Sequence, residues 1–132
     1  MNSPDVEGLI TKTSPRSLGG TVGRLLELVR TRGMTLVAVV DHSGEAARVG
    51  LELRDTKLVI FGSPQAGRPV MQARPLAAID LPLRVLVWSD GDEVRVTYPS
   101  PSYLAARHHL DGDLAARLAG IDALTDALVA AT

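Results

Sequence analysis

Three short stretches of this 132-residue chain hold residue types that could do chemistry. The first is Asp41-His42, in VVDHSGEAARVG. An Asp can orient an imidazole, and a His can act as base or ligand near neutral pH. Consecutive residues on a strand point to opposite faces, so the two side chains meet only if the chain turns there. A simpler reading places Asp41 just ahead of a helix N-terminus, where its charge and that of Glu45 are favoured. The pair is therefore read first as a strand end and helix entry. An enzyme using His42 as general base on an anionic substrate is the alternative.

The second stretch is GSPQAGR. Gly62 ends an apolar run, Ser63 can cap a helix, and Pro64 suits the first helical position because its missing N–H costs nothing there. Arg68 lies one turn on. Strand ends that face helix N-termini are where open sheets bind anionic ligands. A rim of His42, Ser63 and Arg68 is therefore the expected ligand site. Arg84 joins it as the odd charge in LPLRVLVW, which must be paired, exposed or part of a site. Asp80 is the nearby candidate partner.

The third stretch is RHHLDGD. His108, His109 and Asp111, with His42, supply enough donors for a divalent ion, and a histidine could serve a haem. No H-x-x-x-H or H-E-x-x-H spacing is present, so the segment reads as a polar loop with Asp111 or Asp113 capping the next helix. A metal or haem protein using His42, His108 or His109 remains a further alternative. No cofactor and no metal is assigned. Other motifs are weaker. SLGGTVGRLL lacks the Gly-Lys-Ser/Thr of a phosphate loop and reads as a helix with glycines in its first turns. No G-x-S-x-G occurs. Asp90, Asp92 and Glu93 read as solvated turn residues, not a glycosidase pair.

These residues need elements to hold them. Residues 5–13 read as a weakly alternating strand. Leu18, Val22, Leu25, Leu26 and Val29 form one apolar stripe of a helix over 17–32, with Ser17 as cap and Gly33 as stop. TLVAVV (35–40) lacks polar alternation, which predicts a strand covered on both faces or placed centrally. A short helix over 44–50 follows, capped by Ser43 and stopped by Gly50. KLVIF (57–61) reads as a central strand, and the helix after Ser63 should be kinked or shortened by Pro69. Residues 81–89 and 93–98 form a hairpin around an Asp-Gly turn. The second of these strands, with one wetter face, reads as an edge or one-side-covered strand. A helix starts at Pro101, and a helical pair broken near Gly120 closes the chain. The order is β α β α β α β β α α. The predicted class is α+β: a single twisted mixed or antiparallel sheet of about five strands, helices mainly on one face.

Composition narrows the function. The chain is 45% hydrophobic with net charge −1 and no cysteine. It can bury a real core, largely aliphatic because only one Trp, one Phe and two Tyr are present. Disulfides, thiolate metal sites and cysteine nucleophiles are excluded. Near-neutral charge gives no field for a polyanion, so nucleic acid is not an expected partner. No basic and apolar leader opens the sequence, and no apolar run spans a bilayer. Membrane association is not expected, and a cytoplasmic location is.

At VVDHSGEAARVGLEL, VIFGSPQAGRPVMQARPLAAIDLPLRVLVW and AGIDALTDAL the chain resembles the domain of unknown function 302 family. The resemblance covers nearly all of residues 5–130, leaving 1–4 as a tail. It implies a compact single α+β domain, often a small bacterial protein, with no assigned reaction. Some members carry cysteines near the two proline steps. Here those steps read Gly62-Ser63-Pro64 and Leu81-Pro82-Leu83, so no thiol role is carried over. The expected function is a non-enzymatic module that binds a small anionic ligand or a protein and self-associates as a homodimer.

Overall fold

The structure, a computed structural model, describes residues 6–131. The tail assigned to residues 1–4, and the first residue of the strand expected from residue 5, lie outside them. Five strands and six helices follow one another: β1 (Leu9–Ser14), α1 (Leu18–Thr31), β2 (Thr35–Asp41), α2 (His42–Arg48), β3 (Thr56–Gly62), α3 (Pro64–Ala73), β4 (Leu83–Asp90), β5 (Glu93–Pro99), α4 (Pro101–Arg107), α5 (Gly112–Ala116) and α6 (Gly120–Leu128). A 3₁₀ turn, Pro75–Asp80, joins α3 to β4. The strands make one antiparallel sheet in the order β1-β5-β4-β3-β2. The fold is α+β, as the residue patterns predict.

Alternation along the strands decides which face is dry. Val59 and Phe61 of β3, Val85 and Val87 of β4, and Val96 and Tyr98 of β5 are all buried on one face. Val22, Leu25 and Val29 of α1 and Ile121, Leu124 and Leu128 of α6 complete that core. Each such side chain contributes about 1.5–3 kcal/mol by leaving water. Helix α1 starts where Ser17 accepts from the Gly20 amide at 3.0 Å and stops at Gly33, whose φ of +72° suits glycine. A second, smaller core gathers Val70 of α3, Ala77, Leu104 of α4 and Leu118.

The other face joins neither core. There Val40, Leu58, Ile60 and Leu86 stand half-buried in neighbouring strands. Towards β1 the face turns polar: Thr97 Oγ1 meets Thr11 Oγ1 and accepts from the Trp88 indole, each at 2.9 Å. Arg95 donates to Asp90 at 3.1 Å and also to Thr13.

One strand sits elsewhere than expected. β2 is an edge strand, not a central one, and Leu36, Val37 and Val39 are exposed. Its register shifts between Leu36 and Ala38, so Val37 is an extra residue pushed out of the ladder. Such a bulge is one way an edge is kept from pairing with another chain. β5 lies inside the sheet between β1 and β4, with one face dry and Arg95 and Thr97 on the other. Pro69 does not break α3, which runs on to Ala73.

A polar clasp ties α6 to the sheet. Lys12 of β1 reaches across to Thr125 Oγ1 at 2.6 Å, Asp126 at 2.8 Å and the Asp122 carbonyl at 3.2 Å. Its ammonium lies 5.1 Å from the centroid of the Tyr98 ring. The Tyr98 hydroxyl donates to Asp122 Oδ1 at 2.5 Å. Burial, and then the bond to Asp122, raise the Tyr98 phenol above its usual range. Burial works against the Lys12 charge, but Asp126 and Tyr98 outweigh it, so its value is also raised. Both groups hold protons more tightly folded than unfolded. Their contribution is thus fully present below about pH 10 and is lost as pH rises through the raised values. Urea melts of the wild type should show the midpoint falling as pH climbs past about 10. Tyr98→Phe should lose about 1.5–3 kcal/mol at neutral pH, because a bond to a charged acceptor disappears, and should flatten the alkaline fall.

Candidate functional site

Asp41 and His42 have separate fates. Asp41 Oδ1 accepts from the Gly44 amide and the Ser43 hydroxyl, both at 2.9 Å. The helix cap is therefore Asp41, not Ser43, and α2 begins at His42. Ser43 is freed for another bond, accepting from the Thr56 amide at 3.1 Å and so tying α2 to β3. The Gly44 amide, and then the Ser43 hydroxyl, hold the Asp41 carboxyl below the usual range. A side chain at residue 44 would collide with that carboxylate, which explains the glycine. His42 is exposed and has no hydrogen-bond partner among the described residues.

The four expected site residues do not converge. Thr35 pairs with Gly62 and Asp41 with Lys57, so Ser63 and His42 lie at opposite ends of the β2–β3 pair. The seven residues of β2 put about 20 Å between them at ~3.3 Å per residue. Arg68 is exposed on α3. Arg84 pairs with Ile60 on the face that joins neither core. Asp80 is not its partner: Asp80 Oδ2 meets His108 Nε2 at 2.5 Å and Arg107 Nε at 3.4 Å. The Arg84 side chain makes no hydrogen bond or ion pair among the described residues.

The histidines of the 107–113 segment are also divided. His108 is held by Asp80, while His109 takes a φ of +54° and its carbonyl accepts from Arg74 Nε at 3.3 Å. Asp111 caps α5 by accepting from the Leu114 amide at 3.0 Å. Among the described residues no three His, Cys, Asp or Glu side chains come together as a metal site would need.

Of the four, Ser63 stands at a cleft. It has a volume of about 300 Å³ and opens where β3 passes into α3. Val37, Gly67, Met71, Leu81, Pro82 and Leu118 give it apolar walls, and Ser63 and Arg117 stand on its polar side. Gly67 and Met71 are one turn apart on α3, so both face the hollow. The peptide before Pro82 is cis. Ser63 caps α3 by accepting from the Ala66 amide at 3.4 Å, and it bonds Gln65 at 3.2 Å. An adjoining hollow of about 210 Å³ shares Ser63, Leu83 and Arg117 and adds Arg32, Met34 and Phe61. Among the described residues no acidic side chain lines either hollow. His42 lines neither, nor the wider hollow of about 920 Å³ beside α2, walled by Asp41, Ser43, Leu51 and Lys57.

Arg117 has a specific reason to be there. Pro69 has no N–H to return to the Gln65 carbonyl four residues back. Arg117 Nη1 donates to that oxygen instead, at 3.4 Å. The rest of its guanidinium carries no other hydrogen bond or ion pair among the described residues. Sequence reasoning passes over Arg117 because it comes from the helical tail, 52 residues beyond Gln65. The available signal is its place between Leu114 and Leu118, one turn apart and both packed in or against the smaller core.

Fluoride-specific ion channel FluC 1 of Brucella suis biovar 1 (strain 1330) is 40% identical over 104 residues, 78% of this chain and 41% of that protein. The protein of the same name from Brucella abortus biovar 1 (strain 9-941) is 40% identical over 104 residues, covering 78% and 38%. The chain thus spans about two fifths of the length of these curated relatives. The crystal structure of an uncharacterized conserved protein DUF302 from Bacillus stearothermophilus superposes with a TM-score of 0.79 at 18% identity, over 94% of this chain and 97% of that one. Residues 10–128 match the family described as Domain of unknown function DUF302, and the chain belongs to that family.

Proposed function

We propose that the domain is a non-enzymatic binding module whose ligand is a small anionic molecule held in the cleft between α3 and the Leu81–Leu83 segment. The observation that carries this reading is a largely apolar hollow of about 300 Å³ with an arginine on its wall and no acid. Pockets for small molecules are built this way, apolar walls supplying affinity and a few polar groups fixing orientation. Ser63 keeps its expected place at this site. Arg117 takes the part expected of Arg68, and His42 and Arg84 have none. A general-base role for His42 finds no support, since it lines none of these hollows.

The channel relatives bear on context. No helix among the described residues is long and apolar enough to cross a membrane. More than half of each Brucella protein lies outside the match. We assign the fluoride chemistry in their name to that remainder. Bare fluoride needs N–H donors to replace its water, and this cleft is mainly hydrocarbon. The matched segment then serves as a ligand-sensing attachment to such a channel.

Self-association is the second part of the proposal. Val40, Leu58, Ile60 and Leu86 form an apolar block that joins neither core, and stacking two such faces about 10 Å apart would cover it. Leu58→Asp should leave the fold intact and convert a dimer to a monomer in sedimentation velocity; a wild-type monomer at high concentration would refute the dimer.

For the ligand, anilinonaphthalene sulfonate is a suitable anionic probe. Its fluorescence should rise on binding to the wild type. Gly67→Leu should abolish the rise, because the new side chain projects into the hollow; a β-carbon there would lie 3.7 Å from Met71 Cε and 4.0 Å from Leu81 Cδ1. Gly67→Ala should melt at the same or higher temperature, gaining up to about 1 kcal/mol of helix propensity. Equal fluorescence with wild type and Gly67→Leu would place the probe elsewhere.

A further inference from the structure

The lining of the cleft is specific enough to name a ligand class, an inference that rests on the cleft being the binding site. The long wall is hydrocarbon and thioether: Val37, Met71, Leu81 and Leu118. Among the described residues it has no aromatic ring to stack on a flat ligand and few donors to read a polar one. That composition favours a flexible saturated chain over a nucleotide or a sugar. Met71 adds an adaptable surface that suits chains of varied shape. The outer part of the wall is Val37, pushed from the edge ladder by the bulge and 57% exposed.

The charge at the mouth is one-sided. Arg117 lines both adjoining hollows, and Arg32 stands on the second. Arg117 spends one donor on the Gln65 carbonyl, in a bond as long as 3.4 Å. Arg32 makes no side-chain hydrogen bond or ion pair among the described residues. Planar guanidinium groups with spare donors match a carboxylate in two-point geometry. Ser63 lies between the two hollows with its hydroxyl turned to Gln65.

We infer that the cleft binds an aliphatic carboxylate of medium length, its chain along Val37, Met71, Leu81 and Leu118 and its head group on Arg117. Arg32 adds long-range attraction across the second hollow. The source could be a free carboxylate in water or the acyl chain and anionic head of a lipid. What is shared by both is a saturated chain that ends in an oxyanion able to pair with a guanidinium.

Calorimetric titration of the full chain with octanoate, decanoate and dodecanoate tests this, with decanol and decyltrimethylammonium as controls. Affinity should tighten roughly fourfold per added methylene until the hollow is full. The heat-capacity change should be negative. Decanoate should bind at least about fivefold tighter than decanol, and the cationic chain should bind weakest. Arg117→Gln should remove the preference for decanoate while leaving decanol unchanged. Sedimentation with anionic phospholipid vesicles separates the two sources: co-sedimentation lost in Arg117→Gln points to lipid, and titration without co-sedimentation to the free acid.

Decanol and decanoate binding equally, or Arg117→Gln keeping the preference, would overturn the inference. Displacement of anilinonaphthalene sulfonate from the wild type keeps failures apart. If the probe occupies the cleft but no chain carboxylate displaces it, the binding-module reading stands and the ligand class falls. If the probe is insensitive to Gly67→Leu and no chain carboxylate binds in the direct titration, both fall.

Discussion

Covering one face of a five-stranded antiparallel sheet with two helices is the constraint from which the other features follow. Val59, Phe61, Val85, Val87, Val96 and Tyr98 can be dry together only because α1 and α6 lie over them. Both helices must then be fixed at their ends, since apolar contact alone does not specify how they slide. The chain fixes them with polar bonds at the margin of the core. Ser14 and Thr21 meet at 2.7 Å at the start of α1, and Arg16 donates to the Leu128 carbonyl at 2.6 Å at the end of α6. Lys12, Tyr98 and Asp122 close the remaining side. Among the described residues no buried side-chain polar atom is left without a partner, so these bonds position the helices without leaving an uncompensated group behind.

The same constraint creates the cleft. Once α1 and α6 occupy the centre of the covered face, α3, α4 and α5 have only the sheet's end to pack on. They form a smaller core around Val70, Ala77, Leu104 and Leu118. That core does not seal against the main one, and the gap is floored by Gly62 and Leu83. Gly62 keeps the floor low: a β-carbon there would come within 3.3 Å of the Pro82 side chain. A hollow between two cores has apolar walls by construction, because each wall is the unfilled edge of a hydrophobic cluster.

What the residue pattern makes legible is periodicity. The α1 stripe, the buried strands β3 and β4, the Asp-Gly hairpin and the Ser17, Ser63 and Asp111 caps all depend on neighbours within a few residues, and all are found. Placement across the sheet is less legible. An unalternating run such as Leu36–Val40 has the same look whether it is covered by helices or exposed on an edge, and only the pairing order separates the two. The cap of α2 is ambiguous for a local reason: Asp41 and Ser43 are both good caps, and the helix begins two residues earlier than the pattern predicts. The site fared worst because its residues come from distant segments. Ser63 is legible through the helix it caps, whereas Arg117 belongs to a tail element that meets α3 only after folding. Pro69 predicts a kinked or shortened α3. One lost backbone bond proved tolerable because Val70, fully buried next to it, anchors the second half of the helix.

That tolerated defect has a reach beyond its own turn. A carbonyl left vacant by an imino acid is a socket on the outside of a rod, and here the plug is a guanidinium carried by the far end of the chain. The link between the two segments thus answers to a proton that residue 69 lacks, beside the apolar packing of Val70 and Leu118. Any amino acid able to supply that proton would fill the socket from within and let the plug swing free.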